Sequence, residues 1–298
     1  MNPVVIEFLK NEIEFCYLVR QPILGTTNNL TVGYNAYLKN KNNISVAGGT
    51  APHWESALRI GVAEGIERAV FNKIRRSNEQ SKLFFIDQYP TTCGFAAGFD
   101  NEKTKYRAIA EALERWVWSW WIDKKYIIPE VSNQKIKENL SDLSLNYYNM
   151  FEHSYGYQKD FLILLDGIMV NFRFYAFIGI YNNGVFPGSR VTIGHDSGWN
   201  HAIIESYRNL NNFKIYKKNP EYFSSKDNFV FDRCVYFGQN KLLATNSITE
   251  ATYNSWPIPE ILMLEQVNNN IPNGSFVWRC LFKDFIGWHL GDNTRFVY

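Results

Sequence analysis

A five-residue motif, Glu-x-x-Glu-Arg, occurs twice in this chain and constrains its fold more than any other feature. The first copy is Glu64-Gly65-Ile66-Glu67-Arg68, and the second is Glu111-Ala112-Leu113-Glu114-Arg115. Each lies in a segment whose apolar residues recur at three- and four-residue spacing, which is typical of an amphipathic helix. A glycine-rich stretch precedes each copy, at residues 47–51 and 94–98. This pattern predicts a site built from two similar turn-helix halves.

The apolar spacing predicts helices over residues 54–76 and 101–122, each carrying one copy of the motif. A third helix is predicted over residues 199–213. It follows another glycine-containing turn, residues 194–198, and carries Glu205 and Arg208. We interpret it as a weaker third copy of the same arrangement.

The remaining segments alternate β-prone and turn residues. Residues 160–165 and 170–180 are predicted strands joined by a turn at Asp166-Gly167, and Asn182-Asn183-Gly184 predicts a further hairpin turn. We also expect a short strand at residues 82–86 and a helix at residues 257–267. The predicted fold class is α+β, with a mixed β-sheet and packed helices.

Composition excludes several classes of protein. The 298 residues are 46% hydrophobic and 16% aromatic, so the chain can bury a large core. A net charge of +2 argues against a dedicated nucleic-acid binder. No apolar run is long enough to span a bilayer, and no signal peptide is evident, so we expect a cytoplasmic protein without a membrane partner. The four scattered cysteines have no zinc-binding spacing.

Two glutamates three residues apart lie on one face of a helix, so each motif presents paired carboxylates. Four such carboxylates would repel one another unless cations lay among them. Magnesium prefers oxygen ligands and usually binds together with nucleotide phosphates. Arg68 and Arg115 are placed to meet phosphate oxygens, and N–H groups of the glycine stretches can do the same.

A plainer interpretation stands beside this one. Glu64 and Arg68 are four residues apart, as are Glu111 and Arg115, and such pairs commonly form ordinary helix-surface salt bridges. Cys93 adjoins the second glycine stretch, but we expect it to be a buried thiol and not a nucleophile. The four tryptophans between residues 116 and 121 are expected in the core.

At these residues the sequence resembles the YcaO family. The family's second signature, Gly-x-Ala-x-Gly followed by a helix with Glu-x-x-Glu-Arg, is matched by Gly94, Ala96, Gly98 and the second motif. The first signature retains Gly49, Ala57 and the first motif. The third helix is similar to a later Ala-Leu-x-Glu-Ala-x-Gln segment. The likeness spans residues 48–210, and residues 211–298 are taken as a β-rich C-terminal part of one domain, 1–298.

The resemblance implies an enzyme that uses ATP and Mg2+ to activate backbone amides of a ribosomally made precursor peptide. Its residues would fall into three groups. Metal ligands would be Glu64, Glu67, Glu111 and Glu114; catalytic residues would be Arg68, Arg115 and Glu205; nucleotide-binding residues would be Gly49, Thr50, Arg68, Gly94, Gly98, Arg115 and Arg208. Azoline formation by cyclodehydration is the expected reaction. Attack by sulfide, an amine or water would instead give a thioamide, an amidine or peptide cleavage.

The chain departs from the family pattern at three positions. Thr50 stands where the family has a lysine, Ile60 where it has a serine, and Arg208 where it has a glutamine. The Pro-x-Pro-x-Pro tail of azoline-forming members is missing. The loss of the lysine and the serine, together with the aromatic content, supports a second hypothesis, in which the chain is a non-catalytic subunit that binds a homologous partner or positions the peptide. An unrelated ATP-dependent ligase is a third.

Partners follow from the same resemblance. No leader-binding module is evident in the sequence, so we expect a partner subunit, either homologous or leader-binding, to recognise the precursor peptide. The aromatic content suits a homodimer or a heterodimer.

Overall fold

The computed structural model describes residues 2–25, 30–194, 198–218, 229–268, 271–292 and 294–296. Two compact units make up the chain. Unit 1 comprises Met1–Ala112 and Ile261–Leu281, and unit 2 comprises Leu113–Glu260 and Phe282–Tyr298. Description of the whole chain as a single domain stays a prediction.

The chain contains both helices and mainly antiparallel strands, which confirms the predicted α+β fold class. The helices are α1 (Pro3–Ile13), α2 (Trp54–Arg76), α3 (Asn78–Leu83), α4 (Asn101–Ile122), α5 (Asn133–Lys137), α6 (Asp142–Tyr148), α7 (Trp199–Lys218), α8 (Phe229–Phe237) and α9 (Lys241–Thr249). The strands are β1 (Tyr17–Leu24), β2 (Thr31–Lys39), β3 (Ser45–Ala51), β4 (Phe95–Gly98), β5 (Glu130–Val131), β6 (His153–Leu165), β7 (Ile168–Tyr181), β8 (Gly184–Ile193), β9 (Ile261–Gln266) and β10 (Phe276–Phe282).

Unit 1 contains two three-stranded sheets, ordered β1-β2-β3 and β4-β10-β9. Helix α2 packs on β3 at very short range. A Cβ atom at Gly49 would lie 2.1 Å from the carbonyl oxygen of Ala57 and 2.6 Å from the amide nitrogen of Gly61. Only glycine permits this approach of strand backbone to helix backbone.

Unit 2 contains one four-stranded antiparallel sheet, ordered β5-β6-β7-β8, with α7 packed on β8. Strand β8 approaches the backbone of α7 as closely as β3 approaches α2. A Cβ atom at Gly188 would lie 2.1 Å from the carbonyl oxygen of Ala202 and 2.4 Å from the amide nitrogen of Ser206. Trp116, Trp118 and Trp121 are fully buried in the core, as predicted, whereas Trp120 is only half-buried.

The long helices and the hairpins confirm the sequence-based expectations. Helices α2 and α4 have the predicted bounds, and α7 extends the third predicted helix to Lys218. Strands β6, β7 and β8 form the predicted meander, with Asp166, Gly167 and Asn182 at positive φ in its turns. Cys93 is buried, as expected. No helix in the described ranges is long and apolar enough to cross a membrane.

Three local expectations are wrong. Residues 82–86 are not a strand, because Ser77 caps α3 and the helix continues to Leu83. Residues 257–267 are not a helix, since Ile261–Gln266 forms β9 in the β4-β10-β9 sheet. The glycine stretches ahead of the motifs are mainly strands: residues 47–51 lie in β3, and Gly94 (φ +76°) leads directly into β4.

The glycine contact between β3 and α2 makes a prediction for stability. Gly49→Ala forces two backbones apart, so the free energy of unfolding should fall by about 1–3 kcal/mol, as for other overpacked sites. Thermal and denaturant unfolding measure this. The matched control is Gly65→Ala in the same helix, where the nearest atoms are side-chain methyl groups of Leu9 and Leu38, at 3.1 and 3.2 Å, and alanine favours the helix. Equal losses in both variants would contradict the contact described.

Candidate functional site

The first carboxylate cluster lies in unit 1 and is anchored by backbone. The amide nitrogen of Gly48 on β3 donates to Oε2 of Glu64 at 2.9 Å. Arg68, one helical turn further along α2, donates to Oε1 of Glu64 at 2.5 Å and to the carbonyl oxygen of Val46 at 2.8 Å. The salt bridge of the plainer interpretation is therefore present. Its carboxylate is nevertheless held in place by the strand and not left on a solvated helix face.

Glu67 lies next to this anchored pair, and its pKa is strongly perturbed. Burial is the main cause that raises the pKa of Glu67 well above its ordinary range, and the charges of Glu111 and Glu64 add to it. Arg107 and Arg68 act in the opposite direction. Three of the four predicted metal-binding glutamates thus interact electrostatically within unit 1. A cation beside Glu67 would offset the cost of removing its charge from water and would reduce the repulsion from Glu111 and Glu64.

Arg279 on β10 is a member of this neighbourhood that sequence reasoning missed. Its fully buried guanidinium donates to the carbonyl oxygens of Thr91 and Cys93, at 3.0 and 2.5 Å, and stacks over Phe95. Burial lowers the pKa of Arg279 to about 10, against the opposing influence of Cys93 and then Glu111. The arginine fixes the segment that leads into β4. No local signal marked it, because its partners are nearly 190 residues away in sequence.

The second cluster lies in unit 2 and centres on Ser189 of β8. The amide nitrogen of Ser189 donates to Oε2 of Glu205 at 2.9 Å, and its hydroxyl donates to Oε1 of Glu114 at 2.9 Å. Nε1 of Trp118 donates to that hydroxyl at 2.7 Å. Ser189 therefore fixes two carboxylates from two different helices. Sequence analysis had not identified it.

The charges of this cluster are only partly balanced. Burial, and then the charge of Glu114, raise the pKa of Glu205, while Arg115, the Ser189 amide and Arg208 lower it. Arg115 lies 3.4 Å from Oε1 of Glu114 and stacks on the ring of Trp288 at 4.1 Å. The structure thus brings the predicted residues Glu114, Arg115, Glu205 and Arg208 into one neighbourhood.

The two clusters share one construction. In each, a strand N–H binds a helix glutamate 16 residues later, Gly48 with Glu64 and Ser189 with Glu205. In each, a glycine on that strand presses against the helix backbone. The third copy, which the sequence had ranked as the weaker one, therefore shares a detailed construction with the first. A strand glycine followed after 15 or 17 residues by a helical glutamate, Gly49 with Glu64 and Gly188 with Glu205, is the signal that would have found it.

The predicted nucleotide-binding glycines have close backbone neighbours. A Cβ atom at Gly94 would lie 2.0 Å from the carbonyl oxygen of Cys280, and one at Gly98 would lie 2.4 Å from Oγ1 of Thr104. The hydroxyl of Thr50 donates to Oδ1 of Asn35 at 2.7 Å. These contacts explain the glycines structurally, and their role toward a nucleotide stays a prediction. Residues 195–197 of the third predicted turn lie outside the described residues.

The carboxylates do not form a ready-made metal cage. Across the part of the chain that the structure describes, no three His, Cys, Asp or Glu side chains are grouped closely enough to hold a metal ion alone. The donors available are carboxylate oxygens, which suit Mg2+. Convergence of all four motif glutamates on one ion stays a prediction.

Solved structures with a similar fold include a microcin synthetase complex, a YcaO protein and a heterocyclase. The E. coli microcin synthetase McbBCD complex with pro-MccB17 bound matches with a TM-score of 0.55 and 11% identity, over 89% of this chain and 86% of that one. YcaO from Methanopyrus kandleri bound with AMPPCP and Mg2+ matches at 0.51 and 11%, over 91% and 86%. A heterocyclase in complex with substrate and cofactor matches at 0.50 and 11%, over 97% of this chain and 54% of the other.

These matches confirm the predicted fold. The chain has an α+β, YcaO-like fold over most of its length. No protein-family model matches the sequence, and no curated protein does. At 11% identity the likeness concerns the fold, so the chemistry must be argued from the residues of this chain.

The raised pKa of Glu67 predicts how stability depends on pH. The folded state binds this proton more tightly than the unfolded chain, so stability falls as pH rises through the ordinary glutamate range toward the raised pKa. Glu67→Gln removes the ionisable group and should raise the melting temperature at neutral pH, with a smaller gain at about pH 4. Calorimetry at both pH values tests this. The exposed Glu7→Gln on α1 is the control and should show no such difference; an unchanged Glu67→Gln would contradict the assignment.

Proposed function

We propose that this chain is an ATP- and Mg2+-dependent enzyme that activates backbone amides of a ribosomally made peptide, with azoline-forming cyclodehydration as its reaction. One observation carries the proposal: twice, a strand N–H fixes a helix glutamate within a group of carboxylates in which burial and a neighbouring carboxylate raise the pKa of one member, Glu67 or Glu205. A protein that holds carboxylates in this way gains most from a bound cation. The YcaO-like fold supplies the context in which a nucleotide would bring that cation.

The residues fit magnesium with phosphates better than magnesium alone. Mg2+ is usually held by one or two carboxylates, with substrate phosphates and water completing its shell. A site of that kind needs no group of three acidic side chains from the protein. Glu67 with Glu111, and Glu114 in the second cluster, would provide carboxylates. YcaO from Methanopyrus kandleri, which has this fold, was solved with AMPPCP and Mg2+.

The arginines would keep the clusters neutral enough to accept phosphate. Arg115 is largely buried, stacked on Trp288, and close to Glu114, so it is held without needing a ligand. Stacked, planar guanidinium groups are well suited to bind phosphate oxygens. Arg68 is more exposed and bound to Glu64 and Val46. We therefore assign the larger share of phosphate binding to Arg115.

Glu205 is suited to proton transfer. Burial raises the pKa of Glu205, and a carboxyl with a raised pKa is a better base that can take a proton from a nucleophile and return it. ATP would supply the phosphoryl group that converts the amide oxygen into a leaving group. Ser189 orients Glu205 through its N–H and Glu114 through its hydroxyl, so it is a positioning residue for both.

A second function, that of a non-catalytic subunit, is favoured by Thr50. This residue stands where the family has a lysine, and its hydroxyl is engaged with Asn35, so the position supplies no positive charge. The McbBCD complex, which shares the fold, is an assembly of several subunits. Under this alternative the chain would position a peptide for an active homologue.

Nucleotide binding decides between these functions. Calorimetric titration of the full chain with AMPPCP and Mg2+ should show binding, and Glu111→Gln or Glu114→Gln should weaken it by at least about tenfold, because each removes an anionic oxygen ligand. Glu111→Gln tests the first cluster and Glu114→Gln the second. Glu102→Gln, an exposed residue at the start of the same helix, is the control and should bind as the parent does.

The outcomes separate the two functions. Binding that the two variants lose and Glu102→Gln retains supports the enzyme, and mass spectrometry of incubated peptides then identifies loss of water, gain of sulfur or cleavage. A folded chain that does not bind AMPPCP, yet is required by an active homologue, would establish the non-catalytic subunit.

A further inference from the structure

The distal half of β6 forms an open edge of the sheet in unit 2. Strand β5 pairs only with Gly156 and Tyr157, and the N–H of Gln158 donates to the carbonyl oxygen of Pro129 at 3.1 Å. Beyond that point, no described strand pairs with Asp160–Leu165 on this side. On the other side, β6 is paired with β7 without a register shift up to the turn. We call the segment Asp160–Leu165 the open edge.

The open edge presents backbone groups in a regular row. Gln158 directs its N–H away from β7, and alternate residues of a strand direct their polar groups to the same side. Asp160, Leu162 and Leu164 therefore direct their N–H and C=O groups outward. Such a row is a template for an added strand.

The side chains beside this row are apolar and exposed. Leu162 and Leu164 are 54% and 63% exposed, and Met169, directly across the ladder from Leu164, is 51% exposed. Single exposed apolar residues are common, but adjoining ones mark interaction sites. The only charge on this face of the open edge, Asp160, is neutralised by Arg173 at 2.5 and 2.9 Å.

Another edge strand of the same chain is protected in the usual way. Strand β1 is at the end of the β1-β2-β3 sheet and carries Arg20 and Pro22, with a register shift between Ile23 and Leu24. Charge, proline and irregular register are the features that prevent strand addition. The open edge has an uninterrupted register, no proline and leucines in place of unpaired charges. This difference favours pairing of the open edge with an added strand.

We propose that the open edge binds an extended peptide segment by β-strand addition, with apolar residues at alternate positions beside Leu162 and Leu164. Six residues span about 20 Å. A strand of that length with three apolar side chains can bury only a small surface area. Stable protein interfaces bury roughly 1,200–2,000 Å2. A second copy of the chain is therefore disfavoured, whereas peptides commonly bind in this way through main-chain hydrogen bonds. The choice of a peptide rests on the proposed function.

The experiment uses a fluorescent synthetic peptide of alternating leucine and threonine with lysines at both ends. Fluorescence polarisation with the full chain, without ATP, measures its affinity. Two further peptides carry N-methyl groups on either all the leucines or all the threonines, which removes the main-chain donors of one side only. Strand addition predicts that one N-methylated peptide loses binding at least about tenfold while the other binds as the parent does.

Variants of the chain locate the site. Leu162→Pro removes an outward N–H and the side chain, whereas Leu162→Ala removes the side chain alone. We expect Leu162→Pro to bind about fivefold more weakly than Leu162→Ala, as for one lost hydrogen bond. Leu164→Lys should also weaken binding, and Leu242→Lys on α9, which replaces another exposed leucine of unit 2, should not. Melting temperatures establish that each variant is folded.

Each remaining outcome would overturn the proposal. Equal binding of both N-methylated peptides would indicate simple apolar adhesion. No binding at millimolar chain concentration would show that the edge accepts no peptide. A dimer in solution that Leu162→Lys converts to a monomer, measured by light scattering, would assign the edge to a second copy. Since ATP is absent throughout, failure here leaves the nucleotide titration to judge the proposed function separately.

Discussion

The close approach of a glycine-bearing strand to a helix is the interaction on which each carboxylate cluster depends. Because Gly49 and Gly188 have no side chains, β3 and β8 lie directly against α2 and α7. Only at that distance can a strand N–H reach a helix glutamate. Glu64 and Glu205 are then fixed by backbone, whose position varies less than that of any side chain. The remaining members of each cluster are arranged around these two anchors.

Burial gives Glu67 and Glu205 their electrostatic character. A carboxylate that packing removes from water resists ionisation, and neighbouring carboxylates increase the resistance. The arginines nearby offset this only in part, as the raised pKa values of Glu67 and Glu205 show. Such a cluster costs stability in the folded chain, which proteins commonly accept at functional sites. The imbalance is what distinguishes these clusters from ordinary surface salt bridges.

Buried arginines hold the surrounding backbone in place. Arg279 donates to carbonyl oxygens ahead of β4, and Arg233 donates to those of Trp288, Leu290 and Asp292. Trp288 in turn stacks on Arg115. Each arginine thus ties a segment near a cluster to an element distant in sequence. Fold and site depend on such contacts more than on residue identity elsewhere, which agrees with a YcaO-like fold at 11% identity.

The sequence alone determined the elements whose signals are local. Apolar periodicity defined α2 and α4 to the residue, and turn residues such as Asp166-Gly167 defined the β6-β7-β8 meander. Tertiary structure decided what depends on distant partners. Residues 47–51 are a strand because they pair with β2. Ile261–Gln266 is a strand because it pairs with β10 in the β4-β10-β9 sheet. The bond from the Ser189 hydroxyl to Glu114 and the bond from Arg279 to Cys93 span 75 and 186 residues, and no local pattern of residues can encode such contacts.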